Sequence, residues 1–165
     1  ATSIAGNSLG LLFGGGPGAK DETESWNGTA WSEVADLNTG RRHLSGFGLS
    51  TSALGFGGET ATAGNVNVVE SWNGTSWSEV AEVNTGRQGG SAAGDSNTLG
   101  IYFGGGSNLL TEAWNGTAWT EVNDLAAAKN EGSGSGTSNA AFVVLGTVTE
   151  EWTVPSFTTK TFDTD

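Results

Sequence analysis

Hydrophobic positions in this chain fall into short runs bounded by glycines, and the runs recur with the same polar neighbours. Each recurrence parses into four short strands. The first is rich in small residues and follows a basic side chain: Arg41 to Gly48, Arg87 to Gly94, Lys129 to Gly136. The second is apolar and ends on glycine, as in Ser52 to Gly58, Leu99 to Gly105 and Ala140 to Gly146. The third carries Glu-x-Trp and the fourth Trp-x-Glu-Val. They run together in Glu24-Ser25-Trp26-Asn27-Gly28-Thr29-Ala30-Trp31-Ser32-Glu33-Val34, and nearly the same wording returns from Glu70 to Val80 and from Glu112 to Val122. A worn fourth copy begins at Glu151-Trp152. Trp26, Trp72, Trp114 and Trp152 are spaced by 46, 42 and 38 residues, which is the length of one propeller blade.

Asn-Gly between the third and fourth strands is the preferred pair for a two-residue type I′ hairpin, because both positions need positive φ. That turn predicts Trp26 opposite Thr29 and Glu24 opposite Trp31. A four-residue loop over Asn27 to Ala30 would instead pair the two Trp residues directly. Either register puts Trp26 with Trp31, Trp72 with Trp77 and Trp114 with Trp119 on a shared face, Trp152 being the fourth-copy counterpart. Small residues occupy the opposite face, and a large face against a small one lets neighbouring blades interdigitate. The expectation is an all-β fold: a four-bladed β-propeller with four antiparallel strands per blade, a single domain over 1–165 with blades at about 1–38, 39–84, 85–126 and 127–165. Small residues in the first strands suit a crowded central axis. Phe157 to Asp163 supplies the last outer strand, so the expected ring closes with no strand exchanged between termini. Its seam is then held by side-chain packing alone.

Composition narrows the chemistry. The 165 residues fit one domain, and with no Cys neither disulfides nor thiolate metal sites can brace it. There is no Met, from which a processed or excised chain is expected. The net charge is −12 with six Lys and Arg, a balance that disfavours nucleic acid and anionic membranes as partners and favours solubility. No apolar run is long enough to span a bilayer, and no signal peptide is visible.

The Gly-Gly ending the second strand, the Trp that follows it, and the Arg opening the next repeat resemble kelch-type propeller repeats. The wording Glu-x-Trp-Asn-Gly-Thr-x-Trp-x-Glu-Val followed by Asn-Thr-Gly-Arg resembles the kelch-like repeats of structural and tail-associated proteins of marine bacteriophages and their metagenomic relatives. The resemblance covers the whole chain, and kelch propellers commonly carry more blades than the four offered here. It implies a propeller fold and a virion or extracellular setting. Such folds host unrelated functions, so function must come from the site.

No catalytic set stands out. His43 is the single His and Tyr102 the single Tyr, which excludes a copper-radical site by count. The letters Gly132-Ser133-Gly134-Ser135-Gly136 lie in an inner strand and not at a nucleophile turn. Acids recur at Glu24, Glu70 and Glu112, at Glu33, Glu79 and Glu121, and at Asp36, Glu82 and Asp124. One per blade, they are expected as solvated strand edges and not as a convergent pair. Asn27, Asn73 and Asn115 open formal glycosylation triplets that the turn itself explains. No cofactor or metal is expected, and a channel ion would have to be held by backbone carbonyls.

The cations are unevenly placed. Loops from strand two to three and from strand four to the next blade leave a propeller on the same side. Lys20, Arg41, Arg42, His43, Arg87 and Lys129 therefore gather on one rim, where the loops also vary most in length. Two expectations follow. The rim contacts a host glycan or protein receptor, making the chain a non-catalytic binding module, or Arg41 and Arg87 pair with the repeating acids and lock blades together. A purely structural domain contacting only neighbouring virion subunits is the alternative function.

Overall fold

The structure, a computed structural model, describes residues 2–5, 9–128, 130–145 and 148–153. The described residues are all-β, as expected, and hold no helix. The first sheet orders β1 (Thr2–Ala5), β2 (Gly10–Gly15), β3 (Lys20–Trp26) and β4 (Trp31–Glu33) as an antiparallel meander. The second is built from β5 (Ser45–Leu49) and β6 (Ser52–Phe56). A small hairpin, β7 (Glu59–Thr60) and β8 (Gly64–Asn65), then intervenes before β9 (Val69–Trp72) and β10 (Trp77–Glu79) complete the sheet. The third repeats the meander with β11 (Ser91–Ser96), β12 (Leu99–Phe103), β13 (Thr111–Trp114) and β14 (Trp119–Glu121). The fourth shows β15 (Ser133–Gly136), β16 (Ala140–Leu145) and β17 (Val148–Thr153). With the hairpin these make five separate sheets, none closed on itself. The outer strand expected over Phe157 to Asp163 and the cation at Lys129 lie outside the described residues.

The sheets stack in chain order along their first strands, β5 against β1 and β11, and β11 against β15. This approach needs small residues. A Cβ on Gly134 would lie 2.6 Å from the Ala92 carbonyl oxygen, so a side chain there would push β15 off β11. At the far end of β6, Gly57 takes φ +61° with the Arg87 carbonyl oxygen 2.6 Å from where its Cβ would stand. Both the left-handed backbone and the close approach require glycine.

The hairpin between strands three and four corrects the expected two-residue turn. Trp26 pairs with Trp31, Trp72 with Trp77 and Trp114 with Trp119, leaving a four-residue loop. Only the glycines have positive φ there, 95° at Gly28, 94° at Gly74 and 92° at Gly116. Asn27 acts through its side chain instead: Oδ1 accepts the N–H groups of Thr29 at 2.9 Å and Ala30 at 3.0 Å. Asn73 and Asn115 do the same. The Asn is thus an Asx-type acceptor and has no need of left-handed backbone.

The core is divided among the interfaces between sheets. Leu11, Phe13 and Leu37 of the first sheet cover Trp72 and Trp77 of the second. Leu54, Phe56 and Val83 of the second cover Trp114 and Trp119 of the third. Ile101, Phe103 and Leu125 of the third pack with Val143 and Trp152 of the fourth. Phe13 meets Trp77 edge-on with ring centroids 4.8 Å apart, and Phe56 meets Trp119 at 5.1 Å, the arrangement that ring quadrupoles favour.

Candidate functional site

The first two interfaces are each crossed by one Arg whose backbone belongs to one sheet and whose side chain belongs to the next. Arg41 N–H donates to the Lys20 carbonyl at 2.9 Å, and the Arg41 carbonyl accepts from Gly15 N–H at 2.7 Å. Its guanidinium reaches into the second sheet. Nη1 donates to the Gly57 and Val68 carbonyls at 3.1 and 2.8 Å, and Nη2 to Glu70 Oε1 at 3.0 Å. Glu70 turns back to the loop leaving the first sheet, accepting Asn38 N–H at 2.7 Å and Thr39 N–H at 3.2 Å. The next interface repeats this plan. Gly58 N–H donates to the Arg87 carbonyl at 2.8 Å. Arg87 Nε bonds the Gly104 carbonyl at 2.6 Å, and Nη1 pairs with Glu112. Glu112 accepts Asn84 N–H at 2.8 Å.

All four charged groups are removed from solvent, with Arg41, Glu70, Arg87 and Glu112 each 0% exposed. Burial pulls the Arg41 guanidinium below its usual value, and Glu70 opposes the shift. An ion pair in such a place is paid for in lost hydration, so its value lies in fixing which groups meet and in what register. These residues correct the expectation that the recurring acids are solvated edges. Glu33, Glu79 and Glu121 are exposed, but the Glu of Glu-x-Trp is the acceptor of a buried joint.

The joints are not identical. Trp77 Nε1 donates to Thr23 Oγ1 at 3.1 Å across the first. Val69 holds the Thr23 position in the second, and Trp119 Nε1 is left buried without a partner. The second joint also has Tyr102 where the first has Gly55, with the Arg87 guanidinium 3.9 Å above its ring and its hydroxyl donating to the Arg87 carbonyl at 3.1 Å. Burial pushes the Tyr102 hydroxyl up to about 12, with Arg87 and a Ser45 hydrogen bond opposing. The third is eroded, since Asn84-Thr85-Gly86-Arg87 becomes Ala126-Ala127-Ala128-Lys129. Glu150 nevertheless accepts Ala126 N–H at 2.7 Å and Ala127 N–H at 3.3 Å. A cavity of about 200 Å³ lies here, lined by Phe103, Thr111, Asp124, Glu150 and Trp152, among others, with Thr111 Oγ1 and Trp152 Nε1 unpaired.

The rim cations divide into two kinds. Their backbones are brought together: besides the Lys20–Arg41 bond, Arg42 exchanges hydrogen bonds with Glu59 and Gly89 N–H donates to the His43 carbonyl. The side chains of Arg41 and Arg87 leave the surface for the joints, whereas His43, at φ 52°, is exposed. Arg42 Nε lies 2.5 Å from Glu59 Oε1, and Lys20 Nζ lies 2.7 Å from Glu22 Oε1. That hydrogen bond raises the Lys20 pKa and lowers that of Glu22. The loops around them differ: Gly16 to Ala19 turn tightly, the β7–β8 hairpin projects beside Arg42, and Gly104 to Leu110 form a third shape. Along the first strands β5, β11 and β15, Phe47, Ala92, Ala93, Ser135 and glycines line a cavity of about 240 Å³. Among the described residues no three His, Asp or Glu side chains converge on a metal position.

The expected pairing of Arg41 and Arg87 with repeating acids is seen at Glu70 and Glu112; the sequence reading missed the loop partners Asn38 and Asn84 and the matching role of Glu150. The signal was present, because Asn-Thr-Gly-Arg recurs with Glu-x-Trp at separations of 29 and 25 residues from Arg to Glu.

No family model matches this chain, and no curated protein matches it. Among solved structures it is similar to YjhT, with 18% sequence identity and a TM-score of 0.70 over 83% of this chain and 50% of that one. At that identity the likeness speaks for the fold. This chain spans about half the length of YjhT.

Proposed function

We propose that this chain is a non-catalytic display module: four propeller blades of kelch-like repeats that present one loop face to a protein or glycan on a host surface, within a phage-like virion or tail appendage. The observation that carries the reading is how the charged residues are divided. The recurring Arg and Glu are consumed by the joints, while the loops beside Lys20, Arg42 and His43 differ from sheet to sheet. A rigid repeated frame with unlike loops on one rim is a common way to carry a binding surface. The stacking of meanders along their first strands supports the propeller arrangement, one blade per meander.

The test is binding to host-surface glycans and proteins by the parent chain and by a Lys20→Ala, Arg42→Ala, His43→Ala triple variant. Binding should fall at least tenfold in the triple variant with its unfolding midpoint nearly unchanged. Equal binding by both would remove this rim from the account. A structural role among neighbouring subunits is the second reading, and the exposed Trp31 and Phe142 favour it.

A further inference from the structure

Among the described residues, the stack ends on two apolar faces that are opposite halves of one joint. On the first sheet, Trp26 and Trp31 stand in the hairpin that buries Trp72 and Trp77 one sheet later. Their ring centroids are 5.6 Å apart, against 5.3 Å for Trp72–Trp77. Yet Trp31 is 45% exposed where Trp77 is 6% exposed. On the fourth sheet, Ala141 pairs with Trp152 as Gly10 pairs with Trp26, which makes Phe142 and Val144 the repeat equivalents of Leu11 and Phe13. Leu11 and Phe13 are fully buried against the next sheet's Trp pair, whereas Phe142 is 43% exposed.

We propose that the open Trp26–Trp31 face receives the Phe142–Val144 face of a second copy of this chain, head to tail. Three observations converge on that occupant. A Phe and a Val have nearly the combined volume of the Leu and Phe that cover Trp72 and Trp77, so the covering half fits by size as well as by position. The Glu24 side chain, equivalent to those of Glu70 and Glu112, makes no hydrogen bond or ion pair with the described residues, which leave its half of the polar joint unfilled. And among the described residues both faces are open, in a chain that spans about half the length of YjhT. Unlike faces joined head to tail close into a ring when the rotation permits. This rests on the joints and is independent of what the rim binds.

Cysteine capture tests it, because the chain has no Cys of its own. In the first joint a Cβ on Gly55 would lie 2.8 Å from Phe13 Cε2. The corresponding pair across the proposed contact is Leu12 and Val144. Leu12→Cys and Val144→Cys chains, made separately, mixed and linked with a short bis-maleimide, should give a mixed dimer well above either self-linked product. Trp31→Arg should abolish the mixed dimer and halve the sedimenting mass, leaving a folded chain because the ring is exposed. Self-linked Leu12→Cys dimers in excess would overturn the head-to-tail arrangement. A link formed within one chain in the double variant would overturn the second copy in favour of self-closure. A single-chain mass throughout a dilution series would overturn it outright.

Discussion

The first and second sheets carry almost the same eleven residues, Glu24 to Val34 and Glu70 to Val80, and put them to different ends. Register, turn and the tilt between the two Trp rings agree, at 44° and 45°. In the second sheet the motif is buried, its Glu holding Arg41 and two loop amides and its second Trp bonded to Thr23. In the first sheet Trp31 is 45% exposed and the Glu24 carboxylate has no partner among the described residues. The motif thus specifies its own hairpin and half of a joint, and burial is decided by what the preceding sheet supplies. Stability should then reside in the joints and differ sharply between equivalent positions.

Removing the buried acid gives the widest contrast. Glu70→Ala leaves Arg41 buried and unpaired and should cost about 3–5 kcal/mol by urea unfolding. Glu24→Ala should stay within about 0.5 kcal/mol, since the half-buried Glu24 has no partner to lose among the described residues. Comparable costs at both positions would dissolve the distinction.

Tyr102 separates the second joint from the first, where Gly55 stands in its place. Its folded pKa is raised, so its stabilising effect is complete below pH 10 and is lost as pH rises through about 12. Unfolding free energy should fall by about 1–3 kcal/mol across that window, because each tenfold change in proton affinity is worth roughly 1.4 kcal/mol. Tyr102→Phe should cost about 1 kcal/mol at neutral pH for the lost hydrogen bond, and it should flatten the alkaline decline. A Phe variant with the same slope would assign the decline to other groups.

A smaller difference sets Thr23 against Val69. Thr23→Val strips Trp77 Nε1 of its acceptor and should cost about 1–2 kcal/mol. Val69→Thr offers the unpaired Trp119 Nε1 an acceptor, and it should gain up to about 1 kcal/mol. The opposite signs, measured by the same chemical unfolding, are the point of the pair.

Much of this was legible in the sequence. The spacing of Trp26, Trp72 and Trp114 marked the repeats, and the run of small residues in β11 and β15 marked the close approach of first strands. The turn was misjudged because Asn-Gly serves two turn types, and the letters do not say whether Asn27 lends its backbone or its side chain. The acids were misjudged for a different reason. A Glu in a half-exposed hairpin reads as a strand edge until the loop that covers it is located, and Glu24 shows the same letters without that cover. The β7–β8 hairpin escaped because its two-residue strands are held mainly by local bonds, such as Ala63 N–H to Thr60 Oγ1 at 2.9 Å. Of the rim cations, Arg41 and Arg87 could have been told from Arg42 by their Gly-Arg context, which recurs in step with Glu70 and Glu112.

The most direct measurement is the unfolding free energy of Trp31→Ala and Trp77→Ala, each against the parent chain over a range of protein concentrations. Trp77→Ala should cost about 3–5 kcal/mol at every concentration, as expected for a buried Trp. Trp31→Ala should cost under about 1 kcal/mol in dilute solution, with the cost growing as concentration brings second copies together. A large, concentration-independent cost for Trp31→Ala would mean that one chain covers its own first sheet, and the half-joint account would fail.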